Sequence, residues 1–274
     1  MNEAFIVKPL KCDHCGNELP VMGQFVSFQC QTCFNYWILT PQGLKPITVY
    51  RVTSPADGEN ELLFLPFWVV EVNAAELRRQ MEGVIEELRS ATRVIASTDI
   101  EMEEPEFDGI VKQDPELDLE MRKARFLSEA TRSKRAPTSG EVNYLLNRIE
   151  NSGCFYVYIP AFLSPNTYAY LKVGRLLTRC QPAYKMERSL GLGRSVLCAL
   201  QADEAISLMD FVFFATLPES ILSNGDFLKN IHLEPTGPPY LVEFPFEQRG
   251  ATLVSLIGEF HISSKLVDLS QQCL

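Results

Sequence analysis

The sequence predicts an α+β fold in two parts. Residues 1–52 form a small cysteine-bearing module, and residues 53–274 form a larger domain with a mixed sheet, covering helices and a charged helical or loop insertion at 98–138. Three observations lead there. Four of the eight cysteines crowd into residues 12–33. Beyond residue 60, apolar runs of strand length alternate with segments whose apolar residues recur every three or four positions. Between them lies a stretch dominated by charge. The composition suits a packed core, since AVILMFWYC residues make up 46% of the 274 and charged residues 22%.

The module is built on Cys12 and Cys15, then Cys30 and Cys33, a C-x2-C-x14-C-x2-C pattern. Two thiolates two residues apart grip one side of a tetrahedral ion, and a second pair returned by a hairpin closes the other. Gly16 directly follows the first pair, where a tight turn lets backbone N–H groups approach the sulfurs; Asn35 is assigned the matching left-handed place after the second pair. Cys154, Cys180, Cys198 and Cys273 are scattered, which is unlike a secreted disulfide scaffold and points to a reducing, cytoplasmic setting. The start of the chain shows no secretory signal, and its apolar stretches are too short to cross a bilayer.

Residues 12–39 resemble the zinc-ribbon family, in which rubredoxin-like knuckles are joined by β-hairpins. The resemblance implies Cys12, Cys15, Cys30 and Cys33 as ligands of a structural Zn2+, with iron the alternative that spacing does not separate. Four thiolates leave no open coordination position, so the implied site is structural rather than catalytic. His14, between two ligands, is read as a solvated side chain.

From Cys12 through Leu44 there is no Lys or Arg, only Asp13 and Glu18, and net charge is -10. A module that binds phosphate needs cations, so nucleic acid is disfavoured as a partner. The stretch is apolar instead: Val21, Met22, Phe25, Val26, Phe28, Phe34, Tyr36, Trp37 and Ile38. So small a module cannot bury all of these within itself. They either pack on the rest of the chain or dock on a protein partner, and Phe25, Tyr36, Trp37, Phe67 and Trp68 are the candidate partner-binding residues.

Leu44–Val52 reads as one strand leaving the module, and 54–60 as a turn at the boundary. Leu62–Val72 is a buried strand in which Pro66 belongs at an edge or bulge. Ala74–Ser97 is an amphipathic helix with Leu77, Met81, Val84, Leu88, Ala91 and Ile95 in one stripe. Residues 99–120 hold ten acids and one base, Lys112, and residues 121–135 hold six bases and one acid, Glu129. These blocks read as an exposed, partly helical excursion.

Glu141–Ile149 is a helix and Phe155–Ile159 a strand. Ser164-Pro165 starts a helix that runs to Cys180. Ser195–Leu200 is a strand, Asp203 caps the next helix, and Tyr240–Phe246 with Ala251–Leu256 forms a hairpin around 248–250. Leu65-Pro66-Phe67-Trp68, Ile159-Pro160-Ala161-Phe162 and Phe244-Pro245-Phe246 read as a weak strand–Pro–aromatic repeat. Each Pro either ends ladder pairing at a sheet rim while the aromatic seals the core, or the rings of Phe67, Trp68, Phe162 and Phe246 line a groove.

A catalytic constellation is not legible. The three histidines, His14, His232 and His261, fall in no metalloprotease or hydrolase motif, and Gly191-Leu192-Gly193-Arg194 lacks the rest of a phosphate loop. Cys154 or Cys198 with His261 would make a thiol–base pair, but both cysteines lie in apolar strands, where thiols are inert. The expected function is a non-enzymatic zinc-ribbon protein that acts as an assembly factor or adaptor through protein–protein interaction. The alternative is a nucleic-acid-associated factor of the transcription or replication type, supported locally by Arg122–Arg135 alone.

Overall fold

The computed structural model describes residues 10–20, 25–53, 62–86, 88, 139–164, 167–190, 194–217, 222, 231–257, 260–267 and 272–273. The turn at 54–60, the charged blocks of 99–135 and the glycine turn at 191–193 lie outside the described residues. The fold is α+β. A small antiparallel sheet, β1 (Ser27–Gln29), β2 (Tyr36–Thr40) and β3 (Gly43–Ile47), stands beside a mixed nine-stranded sheet. The large sheet holds β4 (Val49–Val52), β5 (Leu62–Asn73), β6 (Cys154–Pro160), β7 (Met186–Arg188), β8 (Arg194–Val196), β9 (Tyr240–Arg249), β10 (Thr252–Ser255), β11 (His261–Ser263) and β12 (Gln272–Cys273). The helices with both ends described are α1 (Ala74–Gln80), α2 (Ser139–Asn151), α3 (Thr167–Cys180) and α4 (Ala202–Phe214).

Leu44–Val52 is therefore two strands. β3 stays with the module, while β4 runs parallel to β9, Val49 opposite Leu241 and Arg51 opposite Glu243, and antiparallel to β7. Burial explains the split: Val49 and Val52 are closed into the large core, whereas β3 is half-buried or exposed along its length.

β5 and β9 form the spine. They pair antiparallel from Leu62 opposite Glu247 to Val69 opposite Tyr240. Neither proline is at a rim, which corrects the expectation for Pro66 and Pro245. Each stands where its strand changes neighbour on the outer side. β5 pairs β8 at Leu63 and Phe64, then β6 from Phe67 onward, and Pro66 falls in the gap. β9 pairs β4 through Glu243, then β10 from Phe246 onward, and Pro245 falls in the gap. A missing N–H costs no ladder bond there. The proline carbonyls still accept bonds across the gaps, from Ala161 N at 2.9 Å and Leu256 N at 3.2 Å. The third proline, Pro160, ends β6. The aromatics that follow seal the core: Phe67, Trp68, Phe162 and Phe246 are each 2% exposed or less, so they line no groove.

The sheet buries both faces. On one, Val70, Val72, Phe155, Val157 and Ile159 pack against Leu77 and Met81, Leu145 and Ile149, and Met209 and Val212. On the other, Leu63, Leu65, Phe67, Val242, Phe244 and Phe246 meet Leu253, Ile262 and Val267, with Val173 and Leu177 of α3. Period-2 alternation along β5 sends odd residues to the second face and even ones to the first. Each fully buried ring or branched side chain contributes about 1.5–3 kcal/mol to folding.

The helices follow their sequence stripes, with shifted ends. Asn73 caps α1, its Oδ1 accepting from Ala75 N and Glu76 N. α1 breaks at Met81 and the chain is helical again over 82–86. Leu77, Met81, Val84 and Leu88 are all buried, and Ala91 and Ile95 lie outside the described residues. α4 starts two residues before the cap read from sequence: Gln201 is the N-cap and its N–H donates to Glu204 Oε2 at 2.8 Å, leaving Asp203 as an acid in the first turn. The last hairpin turns at Gly250 and Ala251, with Gly250 at φ +61. No helix among the described residues is long and apolar enough to cross a membrane.

Candidate metal centre

The module folds its two cysteine pairs into matching knuckles. In the first, Cys12 N donates to Asn17 O and Gly16 N to Cys12 O; in the second, Cys30 N donates to Asn35 O and Phe34 N to Cys30 O. The correspondence continues in side chains. Asn17 Nδ2 reaches Cys15 Sγ at 3.5 Å, and Asn35 Nδ2 reaches Cys33 Sγ at 3.4 Å. Each knuckle thus reads C-x-x-C-z-N, and residue z holds the left-handed backbone: Gly16 at φ +77 and Phe34 at φ +58. The second left-handed residue is Phe34, not Asn35, whose amide serves the sulfur instead.

The four thiols converge. Cys12 Sγ lies 3.5 Å from Cys33 Sγ, Cys15 Sγ lies 3.4 Å from Cys30 Sγ, and all four sulfurs fall within 4.8 Å of one another. A metal ion fits at their centre, because these separations are close to the edges of a tetrahedral thiolate site. The donor set suits a cation in charge as well. Burial raises the Cys30 thiol, but the N–H groups of Cys33 and Thr32 and the neighbouring thiols outweigh it and bring it down to about 6. Burial likewise opposes ionisation of Cys12, and the N–H groups of Cys15 and His14 overcome it. Cys33 moves the other way. The Asn35 N–H lowers it, but burial and the three competing thiols carry it up to about 11. A divalent ion at the centre relieves that competition by favouring the thiolate form of all four, whose protons are released on binding. Cys12 and Cys30 are buried, Cys33 is half-buried, and Cys15 and His14 are exposed. His14 is the solvated side chain its position suggests.

Most of the module's described apolar residues pack within the chain; Phe34 is exposed, and Val21 and Met22 lie outside the described residues. Phe25 and Trp37 are 4% and 5% exposed, and Phe67 and Trp68 lie deeper still in the large core, where Trp68 Nε1 donates to Leu200 O at 2.8 Å. These four present no surface to a partner. Tyr36 is half-buried and points its hydroxyl inward, 3.2 Å from Ser189 Oγ and 3.4 Å from Glu243 Oε1. For these residues the structure shows packing within the chain. The module places Ile38 in the same buried cluster as Trp68 and Val70 of β5 and the inward residues of α1, α2 and α4. Backbone bonds fix it there: Val26 N and Ser27 N donate to Cys198 O at 2.9 and 3.2 Å, and Cys198 N donates to Ser27 Oγ at 3.0 Å.

Beneath the module, Arg51 and Glu243 form an ion pair with a shortest N–O distance of 2.7 Å. Ser189 Oγ donates to Glu243 Oε2 at 2.8 Å, Arg51 Nη2 donates to Ser195 Oγ at 2.8 Å, and the Arg51 guanidinium lies 3.9 Å from the Phe64 ring centroid. The adjoining cavity, lined by Ser27, Gln29, Tyr36, Ser195 and Glu243, has about 10 Å³, room for one water molecule and none for a substrate. Sequence reasoning passed over this network. The available signal was a charge flanked by apolar residues in each of two strands, Arg51 between Tyr50 and Val52 and Glu243 between Val242 and Phe244.

The thiol–base pairing does not form. Cys198 is 1% exposed and donates its S–H to Leu200 O, and burial pushes it up to about 12. His261 stands exposed on β11, four strand spacings from β8 in the sheet order. Cys154 sits at the start of β6, opposite Asn73. No family model matches the chain, and neither the curated proteins nor the solved structures give a match.

Proposed function

We propose that the chain is a non-enzymatic zinc-ribbon protein that works as an assembly factor or adaptor through protein–protein contact. The observation that carries this reading is the convergence of Cys12, Cys15, Cys30 and Cys33 from two matched knuckles. Zn–S bonds of about 2.3 Å give a tetrahedron with edges of about 3.8 Å, close to the sulfur separations here. Zinc is the ion of choice: it needs no redox partner, and four thiolates saturate it. A saturated ion offers no place for substrate, so its role is to hold the module in shape. Docking through β1 and Tyr36 then makes the module part of the main surface rather than a tethered arm.

Affinity capture of the full chain at low and high salt, with and without nuclease, tests the adaptor role. Protein partners retained at high salt after nuclease treatment are expected. Recovery of nucleic acid that is lost at high salt would contradict the reading, because counterion release makes such binding strongly salt-dependent.

A further inference from the structure

The described residues leave five large apolar side chains exposed: Phe34, Leu39, Tyr144, Met186 and Leu190. Two of them, Phe34 and Leu190, belong to segments that meet near one cation, Arg188. Gln29 Nε2 donates to both Phe34 O and Leu190 O, at 3.5 and 3.4 Å, so the second knuckle and the segment after β7 lie side by side. Arg188 Nη2 donates to Asn35 Oδ1 at 3.1 Å, which ties the guanidinium to the second knuckle. Met186 shares a strand face with Arg188, two residues away on β7. Phe34, Leu190 and Met186 are 49%, 62% and 42% exposed, and Arg188 lies on the segment between the last two.

Two features mark this exposure as more than incidental. The first is the backbone of Phe34. At φ +58 it occupies the left-handed place that Gly16 fills in the first knuckle, and a bulky side chain is disfavoured there. Gln181 is the other described non-glycine residue at positive φ, and its compensation is visible. Its amide bonds Tyr156 N, Tyr156 O and Thr178 O, and its carbonyl accepts from Arg148. The Phe34 ring gains little such compensation, being half in solvent. The Phe34 backbone serves the knuckle, its N–H donating to Cys30 O, while the ring, which Gly16 shows the turn does not need, is left half in solvent. The second feature is charge. Arg188 is exposed and held by a neutral amide, and among the described residues it pairs with no carboxylate.

We infer that Phe34, Leu190 and Met186 with Arg188 form the docking surface for a protein segment that presents an apolar side chain next to an Asp or Glu. The inference rests on the adaptor reading and names its contact site. Phe34 and Leu190 take the apolar anchor, Arg188 takes the carboxylate, and aromatic, Met and Arg residues are the types that interface cores favour.

The probe is a random peptide library displayed on phage, selected on the full metal-loaded chain. Selected peptides are synthesised and titrated against the unmutated chain, Phe34→Gly and Arg188→Gln. The expected peptides carry Asp or Glu beside Leu, Phe or Trp, and each substitution weakens them about tenfold or more. Both variants retain full metal content, and Phe34→Gly melts no lower than the unmutated chain, since glycine suits the left-handed position. Several results would overturn the inference. Selection that yields no consensus would do so, as would peptides that ignore both substitutions, or a Phe34→Gly variant that melts several degrees lower, which makes the ring a packing element. Single-stranded oligonucleotide binding, or self-association of the chain, that disappears in both variants would also overturn it. Captured protein partners that ignore Phe34 and Arg188 would refute this surface and leave the adaptor reading standing. Capture of no protein partner would refute the adaptor reading itself.

Discussion

Arg51 on β4 and Glu243 on β9 stand opposite each other in parallel register, their side chains 13% and 4% exposed and 2.7 Å apart. They lie where the cysteine module meets the large sheet, and Tyr36 reaches from the module to the same carboxylate. Removing one partner leaves an uncompensated buried charge, which costs about 3–5 kcal/mol. Arg51→Met and Glu243→Leu are each expected to lose that much in urea unfolding. The double variant is expected to lose far less than the sum, because no charge is then stranded. Additive losses would show that the two side chains act independently.

Gly174 on α3 is held against β6. A Cβ there would meet Tyr158 O at 2.5 Å and Pro160 Cδ at 2.7 Å, while a Cβ at the helical, exposed Gly83 meets nothing. Gly174→Ala is therefore expected to destabilise by about 1–3 kcal/mol through overpacking. Gly83→Ala is expected to stabilise by about 0.5–1 kcal/mol through helix propensity. Thermal melting of the two variants should shift in opposite directions. A higher melting temperature for Gly174→Ala would mean that α3 and β6 are not in close contact.

Cys198 predicts an alkaline weakness. Its thiol titrates at about 12 in the folded chain against an ordinary 9.0. Between those values the unfolded chain has lost this proton and the folded chain has kept it. The unfolded state binds fewer protons, so stability falls as pH rises, by about 1.4 kcal/mol per pH unit from this group. Below pH 9 both states are protonated and the group contributes no slope. Urea unfolding between pH 8 and 10.5 should show a shallower decline for Cys198→Ala than for the unmutated chain. Equal slopes would place Cys198 in contact with water. The same burial predicts that Cys198 resists alkylation at pH 8 until the chain unfolds.

Much of this was legible because it depends on local spacing. The cysteine pattern locates the thiol cluster, and the period of Leu77, Met81, Val84 and Leu88 locates a buried helix face. Pro66 and Pro245 signal an interruption in strand pairing, and the structure shows one at each. Relations between distant segments were not legible. Nothing local tells that β4 leaves the module for the large sheet, or that β9 brings Glu243 under Arg51. The burial of Phe25, Trp37, Phe67 and Trp68 was not legible for the same reason: apolar content is visible in sequence, but which face is covered is a tertiary fact. Phe34 shows the converse. It was one aromatic among nine apolar residues until its backbone angle and exposure set it apart.

The most direct measurement is the metal content of the unmutated chain, purified under reducing conditions and analysed for zinc and iron, beside Cys30→Ser. The account predicts one zinc per chain. It predicts that Cys30→Ser loses the ion and the order of the module, because in so small a unit binding energy is folding energy. Substoichiometric metal in the unmutated chain, or a Cys30→Ser variant that keeps both its ion and its melting temperature, would contradict it.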